Sequence, residues 1–414
     1  MRPELPALGW SRDDIFRRMH ELSAGDVDWR RGRTPLYVFK ATDEVAAIGR
    51  DAFFEFFTEN GLGGKRAFHG LKRMEDEVVA IGLSLLHAPP DAAGYFTTGG
   101  SESIVTAVKT CRDWTRKTRS RPHLRGNIVL PQSAHPAFTK AGLLMDIELR
   151  RIPLSPRFRA DVPAMAAAID DDTIALVGSA PSFPYGTIDP IDELAALASS
   201  RGLWLHVDAC VGGYLAPFVA RAGHPVPAFD FALPGVTSIS ADLHKFGFCP
   251  KPASTVFYRS AAQAALQPFE MDDWPSGKFA TATIAGTRPG GAIAGAWAVL
   301  HALGEAGYVE VARRIMTLVA DYRRGIEAIG LRVVADSELS ILCFTSDDVD
   351  MLKVAERMGT RGWLPGVVRE PRSMHLMLSL LHEPALPDYL RDLRECVAEV
   401  RSGAAQGAGV SVTY

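Results

Sequence analysis

Cysteine is scarce and scattered in this chain of 414 residues: Cys111, Cys210, Cys249, Cys343 and Cys396 are odd in number and form no C-x-x-C pair. That pattern leaves no basis for a disulfide framework or a zinc site, and no metal is expected. Long apolar runs are missing too. No stretch approaches the roughly 20 residues that span a bilayer, and the N-terminal MRPELPALGWSRDDIF is charged and proline-bearing where a secretory leader needs an apolar core. A cytoplasmic protein without a transmembrane segment is the expectation. Blocks of one charge sign are also absent. The 45 basic and 48 acidic residues give a formal net charge of −3, which offers no electrostatic footprint for nucleic acid or an anionic membrane surface. What is present is ordinary globular composition, 47% hydrophobic and 22% charged, in a chain long enough for a large core and a smaller domain. The expected partner is a small molecule.

Short apolar runs alternate with longer helical patterns: NIVL (127–130), TIALVGS (173–179), LWLHVDA (203–209), TSIS (237–240) and STVFY (254–258). The alternation predicts a mainly parallel α/β sheet covered on both faces. From about residue 290 a long helical stretch leads into the short strands LRVVA and LSILCF and then another helix, which predicts a second, smaller α/β domain. The expected units are an N-terminal segment over 1–59 with helices around TPLYVF, a large domain over 60–300, a small domain over 301–402 and a linker-like tail over 403–414.

In open α/β sheets ligands bind beyond the carboxyl ends of the strands, so polar residues just after apolar runs carry the functional signal. Three places qualify. In HVDACVGG the run LWLHV ends in Asp208; in SISADLHKFG the run TSIS ends in Asp242, His244 and Lys245; in YFTTGGSESIVTAVK the residues Gly99, Gly100, Ser101 and Ser103 precede a helical run. A glycine-serine turn at a helix start offers free N–H groups and the positive end of the dipole, which suit a phosphate. A plain helix cap on Ser101 explains the same residues. Asp208 alone reads as a turn cap and Lys245 alone as a surface cation. Yet Lys245 lies between apolar and aromatic neighbours, Phe246 and Phe248 among them, and a lysine held there is expected to have a depressed pKa and a nucleophilic amine. A phosphate cradle, a buried carboxylate and such a lysine are together the parts that hold pyridoxal 5'-phosphate, whose ring acts as an electron sink. Asp242 reads only as a turn residue or a support for its neighbours.

The motifs YFTTGGSESI, PQSAHPAFTKA, FPYGTIDPIDELA, LHVDACVGGYLAPF, FDFALPGVTSISADLHKFGFCPK and ATATIAGTRPGGAIAGAWAVLHALGEAGYVE span about residues 60–312 in order. In them the chain resembles the sphingosine-1-phosphate lyases, fold-type I pyridoxal-phosphate enzymes related to the group II amino-acid decarboxylases. The resemblance implies that Lys245 carries the cofactor as a Schiff base, Asp208 pairs with the pyridine nitrogen and His135 stacks on the ring. Gly100, Ser101 and His244 would hold the cofactor phosphate. Thr283 and Gly286, in the loop TIAGTRPGG, would reach the site from the neighbouring subunit of a homodimer. Tyr37 and Lys251 occupy the positions that hold the substrate's own phosphate.

Two departures from the family pattern stand out. Asn60-Gly61-Leu62-Gly63-Gly64-Lys65 replaces NPLHPD, so a histidine is lost at Gly63 and a more flexible loop is expected. Ala180 stands where the family has threonine. The reaction the resemblance implies is cleavage of the C2–C3 bond of a phosphorylated 2-amino alcohol to an aldehyde and phosphoethanolamine. The alternatives are an amino-acid decarboxylase, which needs a cation such as Arg288 or Lys251 for the substrate carboxylate, and a non-catalytic binding protein that keeps the fold.

Overall fold

The computed structural model describes residues 2–404 and 409–412, so residues 405–408, 413 and 414 of the expected tail lie outside the described residues. Seven strands build the main sheet: β1 (Ala93–Thr97), β2 (Asn127–Pro131), β3 (Glu148–Ile152), β4 (Thr173–Ser179), β5 (Trp204–Asp208), β6 (Ser238–Ala241) and β7 (Ser254–Tyr258), in the order β1-β7-β6-β5-β4-β2-β3. Strands β2 to β6 run parallel, and β7 is antiparallel to both of its neighbours. Every residue of β2, β4, β5, β6 and β7 is buried, which is why these segments read as continuous apolar runs rather than alternating ones. The five runs named from the sequence are these five strands. The two edge strands were not among them: β3, Glu-Leu-Arg-Arg-Ile, is half exposed and charged, as an edge is.

The first four α-helices are α1 (Arg12–Leu22), α2 (Asp43–Glu55), α3 (His69–Leu85) and α4 (Gly100–Thr118). Helix α4 follows β1 directly and buries Ile104, Val105, Ala107, Val108 and Cys111 on the sheet; Glu102 in its first turn and Arg116 and Lys117 in its last match the dipole. The chain then runs through the long helix Gly290–Ala328, which bends at Gly304, where φ is 54° and ψ −178°, a conformation that a residue with a Cβ rarely adopts. The expected domain boundary near residue 300 falls just before this bend.

Beyond the helix, the strands Arg332–Val333, Ile341–Thr345, Ser373–Met377 and Gly366–Val368 form, in that spatial order, a four-stranded antiparallel sheet. The N-terminal segment is tied to this sheet: Leu364 N–H donates to Arg33 O at 2.9 Å, and His382 Nε2 meets Thr34 O at 2.7 Å. Among the described residues no helix is long and apolar enough to cross a membrane, and all five cysteines are buried free thiols.

Candidate active site

The carboxyl ends of β5 and β6 and the N-terminus of α4 converge on a cleft of about 390 Å³ lined by Gly100, Ser101, His135, Asp208, Asp242, His244 and Lys245, among others. Six residues proposed from the sequence, Gly100, Ser101, His135, Asp208, His244 and Lys245, thus come together from four separate segments.

The phosphate turn has the form an anion site needs. The residue before the helix is Gly99, not Ser101, and no side chain caps the first turn, so the cap reading of Ser101 falls away. The N–H groups of that turn are left for a ligand. A Cβ at Gly100 would stand 2.7 Å from Cys210 Sγ and 2.9 and 3.0 Å from the Asp242 carboxylate oxygens, so only glycine lets the turn settle there. Behind it, Glu102 acts as a clamp. Its Oε2 accepts from the Thr98 N–H at 2.7 Å and the Thr98 hydroxyl at 2.8 Å, while Oε1 accepts from the N–H groups of Ile284 and Ala285 at 2.7 and 3.3 Å.

Asp208 ends β5 and is 8% exposed. Its Oδ1 accepts from the Cys210 N–H at 3.1 Å and the Ser240 hydroxyl at 3.4 Å, and Ser240 in turn meets His206 Nε2 at 3.2 Å. Burial holds the His206 imidazole down to about 4, so this support is neutral. The strand register explains the cluster: His206 faces Ser238 and Asp208 faces Ser240. Reading LHVD and SISAD with period two places these polar residues on common faces, a signal in the sequence that would have found Ser240 and His206.

Lys245 overturns one expectation. Its aromatic neighbour in sequence turns away: Phe246 is fully buried and packs edge-on against Phe39 at 5.1 Å. The amine instead lies 3.1 Å from Asp242 Oδ2. Burial opposes the ammonium, but the carboxylates of Asp242 and Asp208 outweigh it and raise the pKa above the ordinary lysine value instead of depressing it.

Both histidines of the cleft have their tautomer fixed. Nδ1 of His135 accepts from the Ala137 N–H at 3.1 Å, and Nδ1 of His244 accepts from the Ala253 N–H at 3.1 Å, so each neutral ring carries its proton on Nε2. Burial lowers the pKa of both, which keeps them neutral.

The other candidates lie elsewhere. Thr283 and Gly286 do not line the cleft; their loop is held by Glu102 of the same chain at the rear of the turn. Lys251 lines a second hollow of about 380 Å³ with Phe39, Phe53, Phe54 and Phe248, its ammonium 6.0 Å from the Phe39 ring centroid. Burial and then the charge of Lys245 lower its pKa. Tyr37, two residues before Phe39, has φ of 67° and is exposed, and lines neither hollow.

The glycine-rich segment is not the loose loop expected. Gly61–Gly63 forms a 3-10 turn. Asn60 Oδ1 accepts from the N–H groups of Leu62 and Arg288, and the Gly61 N–H donates to Arg288 O at 2.8 Å. The Arg288 guanidinium is itself paired with Glu75, both side chains being nearly buried. Ala180 follows β4 directly, its N–H donating to Asp208 O at 2.8 Å.

An uncapped helix turn for a phosphate, a buried carboxylate on a polar support and a reachable amine fit pyridoxal 5'-phosphate, both in chemistry and in cleft size. Known proteins agree. Residues 71–347 match the family model of the pyridoxal-dependent decarboxylase conserved domain. A sphingosine-1-phosphate lyase of Oryza sativa is 38% identical over 97% of this chain and 75% of its own length. The solved sphingosine-1-phosphate lyase of Burkholderia pseudomallei superimposes with a TM-score of 0.92 at 35% identity, covering 98% of this chain and 94% of that one. A probable L-tyrosine/L-aspartate decarboxylase of Methanosarcina acetivorans is 33% identical over 95% of this chain and 99% of its own. The fold is that of the fold-type I pyridoxal-phosphate enzymes, and the chain belongs to the sphingosine-1-phosphate lyase family within the pyridoxal-dependent decarboxylases.

Proposed function

We propose that this protein is a pyridoxal-phosphate-dependent lyase that cleaves the C2–C3 bond of a phosphorylated long-chain 2-amino alcohol, releasing an aldehyde and phosphoethanolamine. The observation that carries the reading is likeness along nearly the whole chain to lyases of this activity, joined to a cleft that unites Lys245, Asp208 and the α4 turn.

When bound, the cofactor supplies an electron-withdrawing ring that takes up the electron pair of the broken bond. Lys245 would bind it covalently, Gly100, Ser101 and His244 would hold its phosphate, and Asp208 would keep the proton on the pyridine nitrogen. With Nδ1 engaged and Nε2 protonated, His135 and His244 act as hydrogen-bond donors. The proton of the 3-hydroxyl therefore falls to the Lys245 amine, once released, and the same amine can return a proton to C2. Lys251, packed over Phe39 two residues after Tyr37, supplies the cation for the substrate phosphate.

The decarboxylase reading is favoured by the Methanosarcina relative. It needs a free cation for a carboxylate; Arg288 is committed to Glu75 and to Gly61 O, which leaves Lys251 in the aromatic hollow outside the cleft as its candidate. A homodimer accompanies the lyase reading. It is supported by apolar residues without cover in one chain: Ile15, Phe16, Met19 and Leu22 on α1, which buries no residue, and Trp274 and Ile284 near the site loop.

The test is incubation with sphingosine 1-phosphate and, separately, with a panel of amino acids, followed by mass detection. Aldehyde and phosphoethanolamine are expected. Amine and carbon dioxide from an amino acid, with sphingosine 1-phosphate left intact, would replace the lyase by a decarboxylase.

A further inference from the structure

Asp242 has no part in the reaction above, yet it is the most confined charge in the cleft. It follows β6 directly and is 3% exposed. Its Oδ2 lies 3.1 Å from Lys245 Nζ and 3.7 Å from His244 Nε2. Its Oδ1 is buried and has no hydrogen-bond partner among the described residues. Both oxygens lie within 3.0 Å of where a Cβ on Gly100 would stand, at the first residue of the helix turn that suits a phosphate.

This arrangement sets two problems for cofactor loading. An ammonium cannot attack the aldehyde carbon of the cofactor, because its lone pair is taken. Burial opposes the Asp242 carboxylate but the charge of Lys245 holds its pKa below the ordinary range, and a phosphate dianion on the α4 turn works against that hold at close range. One proton shift removes both. We propose that docking of a phosphate dianion on the N-terminus of α4 drives the proton of Lys245 onto Asp242, so that phosphate recognition itself releases the nucleophile.

The step balances within the pair. The Nζ–H bond breaks, an O–H bond forms on Asp242, and the electron pair left on nitrogen is the one that attacks the aldehyde. The pair stays neutral overall, and the new carboxyl group becomes a donor beside the phosphate instead of a repelling anion. Lysine is the nearest proton source. His135 and His244 are kept neutral by burial, and Cys210 and Tyr214, which also face Asp242, have their pKa values raised by burial and stay uncharged. The remaining charges near the pair, Asp208 and Lys251, are of opposite sign.

The inference rests on Lys245 being the attachment residue. Its test is rapid mixing of protein stripped of cofactor with pyridoxal 5'-phosphate or with pyridoxal, which lacks the phosphate, following the absorbance of the attached cofactor at saturating aldehyde. Over about pH 6.5 to 8.5 the rate with pyridoxal 5'-phosphate is expected to stay nearly flat, whereas that with pyridoxal rises about tenfold per pH unit as free amine appears. In Asp242→Asn the pyridoxal rate is expected to depend less steeply on pH, because of the two carboxylates that oppose burial only Asp208 is left. Equal slopes for the two aldehydes in the wild type, a comparison that needs no variant, would overturn the proposal. So would wild-type slopes retained in Asp242→Asn. Attachment to neither aldehyde, or attachment surviving in Lys245→Ala, would overturn the assignment of Lys245 and the proposal with it. That failure is distinct from attachment with the wrong pH dependence.

Discussion

Glu102 Oε1 accepts the backbone N–H of Ile284 at 2.7 Å, and through this contact the phosphate turn and the loop before the long helix are held as one unit. The same carboxylate bonds the Thr98 N–H and hydroxyl, so its removal strands donors on both sides. These donors are only partly buried and can turn to water, so the cost of losing the acceptor lies near the low end for a buried donor, about 1 kcal/mol. Glu102→Ala is therefore expected to lower the melting temperature and to weaken pyridoxal-phosphate binding, with Glu102→Gln, which keeps one acceptor, in between. Melting curves with and without cofactor check this; a loss of stability with unchanged cofactor affinity would show that the clamp does not shape the turn.

The ion pair of Arg288 with Glu75 connects the same loop to α3. Removing one member of a nearly buried pair leaves the other uncompensated and costs about 3–5 kcal/mol, whereas replacing both by apolar residues costs far less. Arg288→Met is expected to destabilise the protein strongly, and Arg288→Met with Glu75→Met to recover most of the loss. Urea denaturation of the two single variants and the double variant gives the coupling directly. Additive losses would mean that Arg288 is not committed to Glu75 and would reopen its role as a substrate cation.

Much of this was legible in the sequence because burial writes itself as continuous apolar runs. The five interior strands and the polar residues at their carboxyl ends, Asp208, His244 and Lys245 among them, followed from that pattern alone. Edge strand Glu148–Ile152 did not, since no residue of it is fully buried and Glu148, Arg150 and Arg151 put charges on both of its faces. The electrostatics of Lys245 misled for a different reason. Sequence neighbours such as Phe246 point into the core, while the charges that govern the amine come partly from β5, more than thirty residues away. The glycine-rich stretch 60–65 was misjudged because its order comes from Asn60 and from the backbone of Arg288, a partner no local reading could supply.

Two buried histidines give the protein a definite acid response. His206 and His375 are 3% and 2% exposed, and burial lowers each to about 4. In the unfolded chain they titrate near the ordinary value of about 6.5. Between these values the unfolded state binds more protons, so their contribution is complete above about pH 6.5 and is lost as pH falls towards 4. The two together give a slope of up to about 2.7 kcal/mol per pH unit. The urea midpoint is expected to fall steeply through this window. His375→Gln should lower the slope by up to about 1.4 kcal/mol per pH unit whatever its own cost at neutral pH, the remainder coming from His206, His382 and, with opposite sign, Asp189, whose carboxyl burial raises to about 6. A slope that does not change would place the acid sensitivity in other groups.

Lys251 bears on substrate choice. Its ammonium sits in the aromatic hollow beside Phe39 and Phe248, outside the cofactor cleft but close enough to Lys245 to feel its charge. A cation placed there can bind a substrate phosphate without touching the cofactor. A hydrogen bond to a charged group is worth about 1.5–3 kcal/mol, so Lys251→Ala is expected to lower kcat/KM for a phosphorylated amino alcohol by about 10- to 100-fold. The spectrum of the bound cofactor should not change. Steady-state kinetics with sphingosine 1-phosphate, set beside the absorption spectrum of the same preparation, separate the two effects. Equal kinetics in variant and wild type would remove Lys251 from the substrate site, and a lost cofactor band would move it into the cofactor site.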